Sequence, residues 1–400
     1  MLAKHYSRVS PFAISCVSVM ISHVNLHLRL TLALPFLIFS SFFPALTAPQ
    51  SQTALTATNS LLPGPKPPDA PLEWKQLVGV YRFKEETFTI FEKDQHLNWH
   101  FGDYIWQLTP DGQGTYFIPH EHQLDGSITA KPDSNGKISN LLVHENRSFF
   151  NENGAGEMSG DASFSRSDAG ADPARFYHVT PAQPVAELRE KALKLSPPSE
   201  PGPFRKSDLV ELAALDPVIH LDIRYATANN FLSTPVYSEA RAFMQRPAAE
   251  ALLRVLRKLQ TLGYGLLIHD AYRPWYVTKI FWDATPPEGK IFVADPQKGS
   301  KHNRGCAVDL TLYDLATGQP VEMPGLYDEM SPRSFPNFPG GTSLQRWHRD
   351  LLRRAMESEG FTVNEDEWWH FDYKDWKQYG ILNVPFEKIA VSQQPAAVSH

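Results

Sequence analysis

The stretch SKHNRGCAVDLTL, residues 300–312, decides the fold of this chain because it sets a carboxylate inside an apolar strand. Asp309 has apolar residues on both sides, so at least one face of the predicted strand is buried. A buried carboxylate costs several kcal/mol unless a cation or a hydrogen-bond donor pairs with it. His302 precedes Asp309 across a turn that Gly305 allows, and its imidazole can therefore reach the same point as the carboxylate.

A second stretch, EDEWWHFDY at residues 365–373, supplies His370 and Glu367 among aromatic residues. With the first stretch this makes two imidazoles, one ligating carboxylate and one spare carboxylate, which is the inventory of a catalytic zinc site. On these residues alone, hydrogen-bonded structural histidines remain an alternative. In an extended strand Glu367 and His370 would also point to opposite faces unless a bulge or twist intervenes.

A third stretch, HDAYRP at residues 269–274, ends a predicted strand and enters a turn. Arg273 is permanently charged and presents a fork of donors, which suits a developing oxyanion or a substrate carboxylate. A salt bridge to Asp270 explains the same arginine equally well.

Composition limits what such a site can hold and bind. The 400 residues contain only two cysteines, Cys16 and Cys306, which excludes a disulfide scaffold and a four-thiolate zinc site. Any metal must therefore be held by histidine and carboxylate. The formal net charge is −6, and lysine and arginine are thinly spread, so nucleic acid is excluded as a partner.

All three stretches lie in the second half of the chain, where residues 204–388 mix helices and strands without a regular βαβ rhythm. This pattern predicts an α+β domain. Strands are predicted at residues 218–225, 264–268, 306–312, 361–363 and 368–373, and helices at residues 247–262 and 344–356.

A different pattern precedes this domain. Residues 72–165 alternate short aromatic and β-branched runs with turn signals, including Asp111-Gly112 and an Asn-Gly pair at 135–136. They predict a small antiparallel β domain, either a sandwich or a half-barrel. Proline-rich residues 49–71 predict a linker, residues 166–203 a second linker with a short helix, and residues 389–400 a tail.

The N-terminal residues 1–48 predict a signal peptide. An apolar run at residues 30–43 follows Arg29 and precedes a small-residue stretch near Ala48, which is the secretory pattern. The segment is long for a signal peptide, which suggests Met20 as the true start. We therefore expect an exported, periplasmic or cell-envelope protein, with an uncleaved membrane anchor as the alternative.

Together the stretches resemble the zinc D-alanyl-D-alanine dipeptidases of the D,D-peptidase family. The resemblance covers about residues 204–385, roughly half of the chain. It rests on motifs that occur in the family's order: DIRYATANNF at 222–231, DAYRP at 270–274, Ser-x-His-x-x-Gly-x-Ala-x-Asp at 300–309 and EWWH at 367–370. Two departures are modest: Cys306 replaces a small hydroxyl residue, and residues 285–298 are a length variant.

The resemblance implies a compact fold of the hedgehog and D,D-peptidase kind that holds one zinc ion. The implied zinc ligands are His302, Asp309 and His370. Glu367 corresponds to the general base and Arg273 to the arginine that stabilises the transition state. Ser300, Tyr225 and Asp328 match positions associated with gripping the ends of the dipeptide.

The implied activity is hydrolysis of a small D,D-dipeptide, D-Ala-D-Ala, in peptidoglycan turnover or in glycopeptide resistance. The export signal favours turnover, because a resistance enzyme must act in the cytoplasm where the dipeptide is made. One alternative is a D,D- or L,D-carboxypeptidase that trims peptidoglycan stem peptides, with the β domain binding peptidoglycan fragments. The other alternative is a non-catalytic cell-wall binding protein on the same fold.

Overall fold

A nine-stranded antiparallel sheet, here the N-terminal sheet, occupies the first part of the computed structural model. The structure describes residues 60–121, 124–134, 136–151, 154–168, 178–329 and 331–389, so the predicted leader and most of the predicted tail lie outside the described residues. The spatial order of the strands is β4-β3-β2-β1-β9-β8-β7-β6-β5. The strands are β1 Gly79–Phe83, β2 Glu86–Lys93, β3 His96–Phe101, β4 Tyr104–Gln107, β5 Thr109–Pro110, β6 Thr115–Glu121, β7 Leu124–Pro132, β8 Ile138–Asn151 and β9 Gly154–Arg166.

Turn chemistry explains the connections of this sheet. Asp94 and Gln95 both have positive φ, 52° and 64°, as a two-residue hairpin between β2 and β3 requires. At the predicted turn after β5, the Asp111 carboxylate accepts hydrogen bonds from the amides of Gln113 and Thr115. The described residues of this part of the chain form one hydrogen-bonded antiparallel sheet. The choice between a sandwich and a half-barrel stays a prediction.

The N-terminal sheet has an aromatic core of its own. Trp99, Phe88 and Phe164 are buried, and their rings pack with centroids 4.6 and 5.7 Å apart. A short helix, α1 (Leu72–Leu77), precedes β1 and buries Leu77 in the same cluster. Aromatic rings of this size supply much of the apolar area that such a sheet can bury.

A five-stranded sheet forms the centre of the second half of the chain. Its order is β11-β13-β14-β16-β15; β11 is parallel to β13 and the other neighbours are antiparallel. The strands are β11 Ile219–Leu221, β13 Tyr264–Asp270, β14 Ala307–Asp314, β15 Phe361–Val363 and β16 His370–Tyr373, and a separate pair consists of β10 Leu209–Glu211 and β12 Phe243–Gln245. The mixture of helices and largely antiparallel strands agrees with the predicted α+β class.

In the described residues, four further helices accompany these strands: α2 Val185–Ala192, α3 Arg246–Gln260, α4 Trp275–Ala284 and α5 Ser343–Glu357. Helix α3 has proline in its first turn, as the sequence predicts, and buries one apolar face. Helix α5 begins at a capping box, in which the Thr342 side chain accepts the Gln345 amide and the Gln345 side chain accepts the Thr342 amide. Helix α4 is missing from the sequence predictions because it is apolar on nearly all sides, and such a helix has no clear periodicity.

Two predicted strands are shorter in the structure. The strand expected at residues 218–225 ends at Leu221, and Arg224–Ala226 form a 3-10 turn that buries Tyr225. The strand expected at residues 368–373 begins only at His370, because the Trp368 amide donates to the Ser334 carbonyl instead of to a neighbouring strand. The first difference places the predicted site residue Tyr225 in a turn, where its side chain does not follow strand alternation. His370 remains in strand β16.

The second predicted linker packs against the protein where it is described. Val185 and Leu188 of helix α2 are buried in the main apolar core. Further along, the Glu200 carboxylate pairs with Arg304 and accepts the Ile381 amide. In the described part of the chain, no helix is both long enough and apolar enough to cross a membrane.

Candidate metal centre

Three side chains from the predicted zinc site meet at one buried point. His302 Nε2 lies 3.1 Å from His370 Nδ1 and 3.4 Å from Asp309 Oδ1. His370 Nδ1 lies 3.0 Å from the same Asp309 oxygen. All three residues are buried, and they form a group that could hold a metal ion.

Strand register explains how the sequence brings these ligands together. In the β14–β16 pair, Asp309 lies directly opposite His370. His302 reaches them from a 3-10 turn that Gly305 ends in the left-handed conformation, with φ of 68°. The left-handed conformation favours glycine, and a Cβ at this position would lie 2.6 Å from a methyl of the Leu209 side chain, which would have to move.

The second nitrogen of each imidazole is held by another group. His302 Nδ1 lies 2.6 Å from the Ala271 carbonyl, which accepts only if that nitrogen carries the proton. His370 Nε2 lies 3.0 Å from Asp372, whose other oxygen pairs with Lys301. These contacts leave His302 Nε2 and His370 Nδ1 directed at the shared point, the arrangement that metal-ligating histidines show.

The donor set fits a tetrahedral metal ion. Ligands about 2.0–2.1 Å from a tetrahedral zinc lie about 3.4 Å from one another, close to the three distances found here. Asp309 Oδ1 is buried, and among the described residues no hydrogen bond of normal geometry reaches it. Burial alone would raise the pKa of Asp309, yet the imidazoles of His302 and His370 hold that pKa well below its usual value. Burial opposes charge on His370, but its carboxylate partners Asp309 and Asp372 raise its pKa to about 10.

Glu367 lies beside the three ligands and is not part of the group. Its Oε2 atom is 3.6 Å from His370 Nδ1 and accepts a hydrogen bond from the Asn364 side chain. Because Glu367 stands in the turn before β16, it avoids the opposite-face geometry that an extended strand would impose. Burial raises the pKa of Glu367; the nearby His370 opposes this effect and the Asp309 charge adds to it.

Arg273 forms the salt bridge that was the alternative prediction, and it also borders the metal centre. Its Nε and Nη2 atoms donate to Asp270 Oδ2 at 2.9 and 2.7 Å. Nη2 also lies 4.0 Å from Asp309 Oδ2. The guanidinium packs over the rings of Tyr225 and Phe281. These contacts fix the arginine next to the centre, so the structural and functional readings are compatible.

Of the three predicted dipeptide-gripping residues, the structure brings two together. The Tyr225 hydroxyl donates to the Asp328 carboxylate at 3.0 Å. Burial raises the pKa of Asp328 to about 8, and the charges of Asp309 and Glu367 contribute. Ser300 is instead bonded within its own turn, where its Oγ accepts the His302 amide.

Sequence reasoning missed several groups that shape the centre. The Tyr327 hydroxyl donates to Asp309 Oδ2 at 3.2 Å, and Asn364 and Asp372 hold Glu367 and His370. Strand alternation could have found Asp372, because it shares a strand face with His370 two residues earlier. No local spacing pattern predicts the hydrogen bond from Tyr327 to Asp309. Cys306, between two ligands in sequence, is fully buried in the core, and burial raises the pKa of its thiol to about 12.

Glu367 is a carboxylate that lies beside three potential metal ligands without belonging to them. Metal-dependent hydrolases have this arrangement, and in them such a carboxylate transfers protons. Comparison with known proteins gives the family. The chain belongs to the D-Ala-D-Ala dipeptidases of peptidase family M15, whose family model matches residues 205–392. It is a metallopeptidase of the dipeptidase type.

Similar curated proteins agree with this family. A D-alanyl-D-alanine dipeptidase of Escherichia coli K12 is 35% identical over 180 residues, which is 45% of this chain and 92% of that relative. One from Enterococcus faecium is 36% identical over 185 residues, 40% of this chain and 90% of the relative. One from Streptomyces coelicolor is 34% identical over 175 residues, 39% of this chain and 87% of the relative. The N-terminal sheet precedes the residues matched by the family model.

Proposed function

We propose that this protein hydrolyses the dipeptide D-Ala-D-Ala to two molecules of D-alanine with one zinc ion. The observation that carries the proposal is the buried group of His302, Asp309 and His370 with Glu367 beside it, in a chain of this family. These three side chains would hold the ion. When bound, zinc acts as a Lewis acid that polarises a carbonyl oxygen and makes water a better nucleophile.

Glu367 serves as the general base in this proposal. Its carboxylate lies next to the ligand group, and Asn364 orients it by a 3.0 Å hydrogen bond. A carboxyl whose pKa is raised can take a proton from the attacking water and then give it to the leaving amine. The same residue therefore acts first as base and then as acid.

Arg273 would stabilise the negative charge that develops on the carbonyl oxygen. Asp270 holds two of its nitrogen atoms, and the rings of Tyr225 and Phe281 restrict the plane of the guanidinium. A cation fixed in this way needs no reorganisation when charge develops, which is the basis of oxyanion stabilisation. Its structural salt bridge is thus part of how it would act.

Asp328 supplies the contact for the free ammonium group of the dipeptide. An ammonium beside the carboxylate favours its ionised form, whereas a longer peptide offers no positive charge there and would leave the carboxylate without a cationic partner. Tyr225 positions Asp328 through its hydroxyl. Ser300 Oγ accepts the His302 amide, so in this proposal it supports the turn that carries His302. Its direct contact with the dipeptide stays a prediction.

The test is hydrolysis of D-Ala-D-Ala compared with a pentapeptide that ends in D-Ala-D-Ala, by the purified zinc-loaded protein. Release of D-alanine from the dipeptide but not from the pentapeptide supports the proposal. Preference for the pentapeptide would instead identify a carboxypeptidase. Zinc binding without hydrolysis of either peptide would identify a binding protein. L-Ala-L-Ala serves as the stereochemical control.

The remaining expectations concern architecture and location, and they form part of the proposal. Residues 204–388 would have the hedgehog-like arrangement, and residues 72–165 would form a separate β domain that docks peptidoglycan fragments. An export signal in residues 1–48 would direct the protein to the periplasm or cell envelope, in a role in wall turnover. Fractionation of cells that express the tagged full chain tests the location, and recovery in the cytoplasm would contradict it.

A further inference from the structure

Asp328 stands in an irregular segment between strand β14 and helix α5. We call residues 324–329 and 331–334 the Asp328 loop. Asp328 has φ of 58°, in the left-handed region that non-glycine residues seldom adopt. Within the loop, Glu329 accepts the Leu326 amide at 2.8 Å, and Arg333 Nε donates to the Pro324 carbonyl at 2.8 Å. Arg333 therefore ties the two ends of the loop together.

The N-terminal sheet reaches this arginine directly. Arg333 Nη1 forms an ion pair with Asp168 Oδ1 at 3.2 Å. The Asp168 side chain follows strand β9 and is fully buried; its other oxygen accepts the Val80 amide at 2.6 Å. Arg166 also donates to Asp168 at 3.0 Å. The carboxylate is thus fixed by the sheet on one side and holds the loop arginine on the other.

A second contact holds the chain just beyond the loop. Glu92, at the end of strand β2, is buried, and its carboxylate accepts the Ser343 amide at 2.6 Å where helix α5 begins. The Glu92 amide donates to the Gly341 carbonyl, and the Glu92 carbonyl accepts Arg346 Nη2 at 2.7 Å. The sheet therefore holds the segment at two places, near Arg333 and near Ser343.

These polar contacts join the sheet to this segment. A cleft of about 450 Å³ opens along the joint, with Arg166, Arg333 and Pro324 among its lining residues. Arg333, which forms the ion pair with Asp168, therefore lies at the border of this cleft.

We propose that the N-terminal sheet positions the Asp328 loop through the Asp168–Arg333 ion pair, which makes Asp168 and Arg333 positioning residues for the substrate's ammonium group. The proposal rests on the proposed dipeptidase function for its substrate. Residues 205–392 carry the family match, so Asp168 lies outside the matched part while Arg333 lies within it. The ion pair thus connects a segment outside the family match to the part of the candidate site that is proposed to bind substrate.

Steady-state kinetics on the zinc-loaded full chain test the substrate side of this proposal. We expect Arg333→Gln and Asp168→Asn each to raise KM for D-Ala-D-Ala about 10-fold with little change in kcat, and the double variant to add little further, as residues in one network do. Because the Ser334 carbonyl also accepts the Trp368 amide next to Glu367, a general collapse of the loop would lower kcat as well. If kcat falls by about the same factor as KM rises, the role of Asp168 and Arg333 as positioning residues is overturned.

Hydrogen exchange tests the loop without reference to activity. Peptides that cover residues 323–335 should exchange faster in Arg333→Gln than in the parent protein. Arg254→Gln is the matched control, because it removes an arginine whose 2.7 Å ion pair with Glu359 lies outside the loop. Arg333→Lys, which keeps the charge, should recover part of the protection.

These two measurements separate the positioning proposal from the proposed function. If the parent protein does not hydrolyse D-Ala-D-Ala, the function is wrong, and hydrogen exchange still decides the role of Arg333. If Asp168→Asn fails to fold because it also loses the Val80 amide contact, the Arg333 variants carry the test. A folded Arg333→Gln protein with unchanged KM and unchanged exchange overturns the proposal.

Discussion

The hydroxyl of Tyr225 donates a hydrogen bond to the carboxylate of Asp328 at 3.0 Å, although the two residues are 103 positions apart in the chain. Tyr225 comes from the 3-10 turn after β11, and Asp328 comes from an irregular loop beyond β14. Burial raises the pKa of both groups, so tyrosine remains a donor and the carboxyl gains a proton easily. The hydrogen bond brings two of the three predicted dipeptide-binding residues into contact.

The raised pKa of Asp328 predicts a pH-dependent change in stability. The pKa rises from 3.8 to about 8 on folding, so this carboxyl stabilises the folded state most below about pH 4. That contribution is lost as the pH rises through 8. We therefore expect the melting temperature of Asp328→Asn, relative to the parent, to increase from pH 5 to pH 9. Calorimetry in a chelator measures it, because a bound cation would lower the pKa of Asp328.

The control for this measurement is Asp366→Asn, which alters an exposed carboxylate in the same half of the chain. Its melting temperature relative to the parent should show no comparable trend. A difference for Asp328→Asn that stays constant across the range would show that the carboxyl is not held in its neutral form by the fold.

Replacement of Glu367 by glutamine should separate catalysis from metal binding. Glutamine keeps the shape of the side chain but cannot accept a proton, and general-base catalysis typically contributes about 10²–10⁴-fold. We expect kcat for D-Ala-D-Ala to fall by that amount while the zinc content is retained. Glu365→Gln changes an exposed neighbour and should keep parental kcat. Activity of Glu367→Gln close to the parent would exclude Glu367 as the base.

Asp372 should set the affinity for the metal. It accepts from His370 Nε2 at 3.0 Å, and its second oxygen pairs with Lys301. Loss of such a partner typically costs about 10–100-fold in metal affinity. Competition with a chromophoric chelator should show this weakening for Asp372→Asn and not for Asp366→Asn. Equal zinc affinities for the two variants would contradict the role of Asp372.

Gly305 should be required for the turn that presents His302. Alanine there meets two penalties, a left-handed backbone conformation and a Cβ position 2.6 Å from the Leu209 side chain. Gly318 has φ of 70° with open space around its Cβ position, so Gly318→Ala measures the backbone penalty alone. Urea unfolding should show about 1 kcal/mol of destabilisation for Gly318→Ala and clearly more for Gly305→Ala. Equal losses would mean that Leu209 adapts without cost.

Local sequence was sufficient to predict much of the fold and to select the residues that converge at the candidate metal centre. The helix at Arg246–Gln260 and the strand at Ala307–Asp314 follow from apolar spacing and from proline and glycine at their ends. The candidate ligands were found because an acid inside an apolar strand and a histidine among aromatic residues are costly unless they have partners. Helix Trp275–Ala284 was missed, since burial on nearly all sides removes the periodicity.

What the sequence by itself determined was the set of groups that must find partners: His302, Asp309, Glu367 and His370. Tertiary structure alone decided which partners they found. The β14–β16 register sets Asp309 opposite His370, and a turn brings in His302 from 68 residues before His370. Tertiary structure likewise decided that the Tyr327 hydroxyl bonds to Asp309 and that Asp168 forms an ion pair with Arg333. Secondary-structure propensity and residue spacing reflect interactions between residues that are close in sequence. These pairings depend instead on how distant segments pack, which no local pattern encodes.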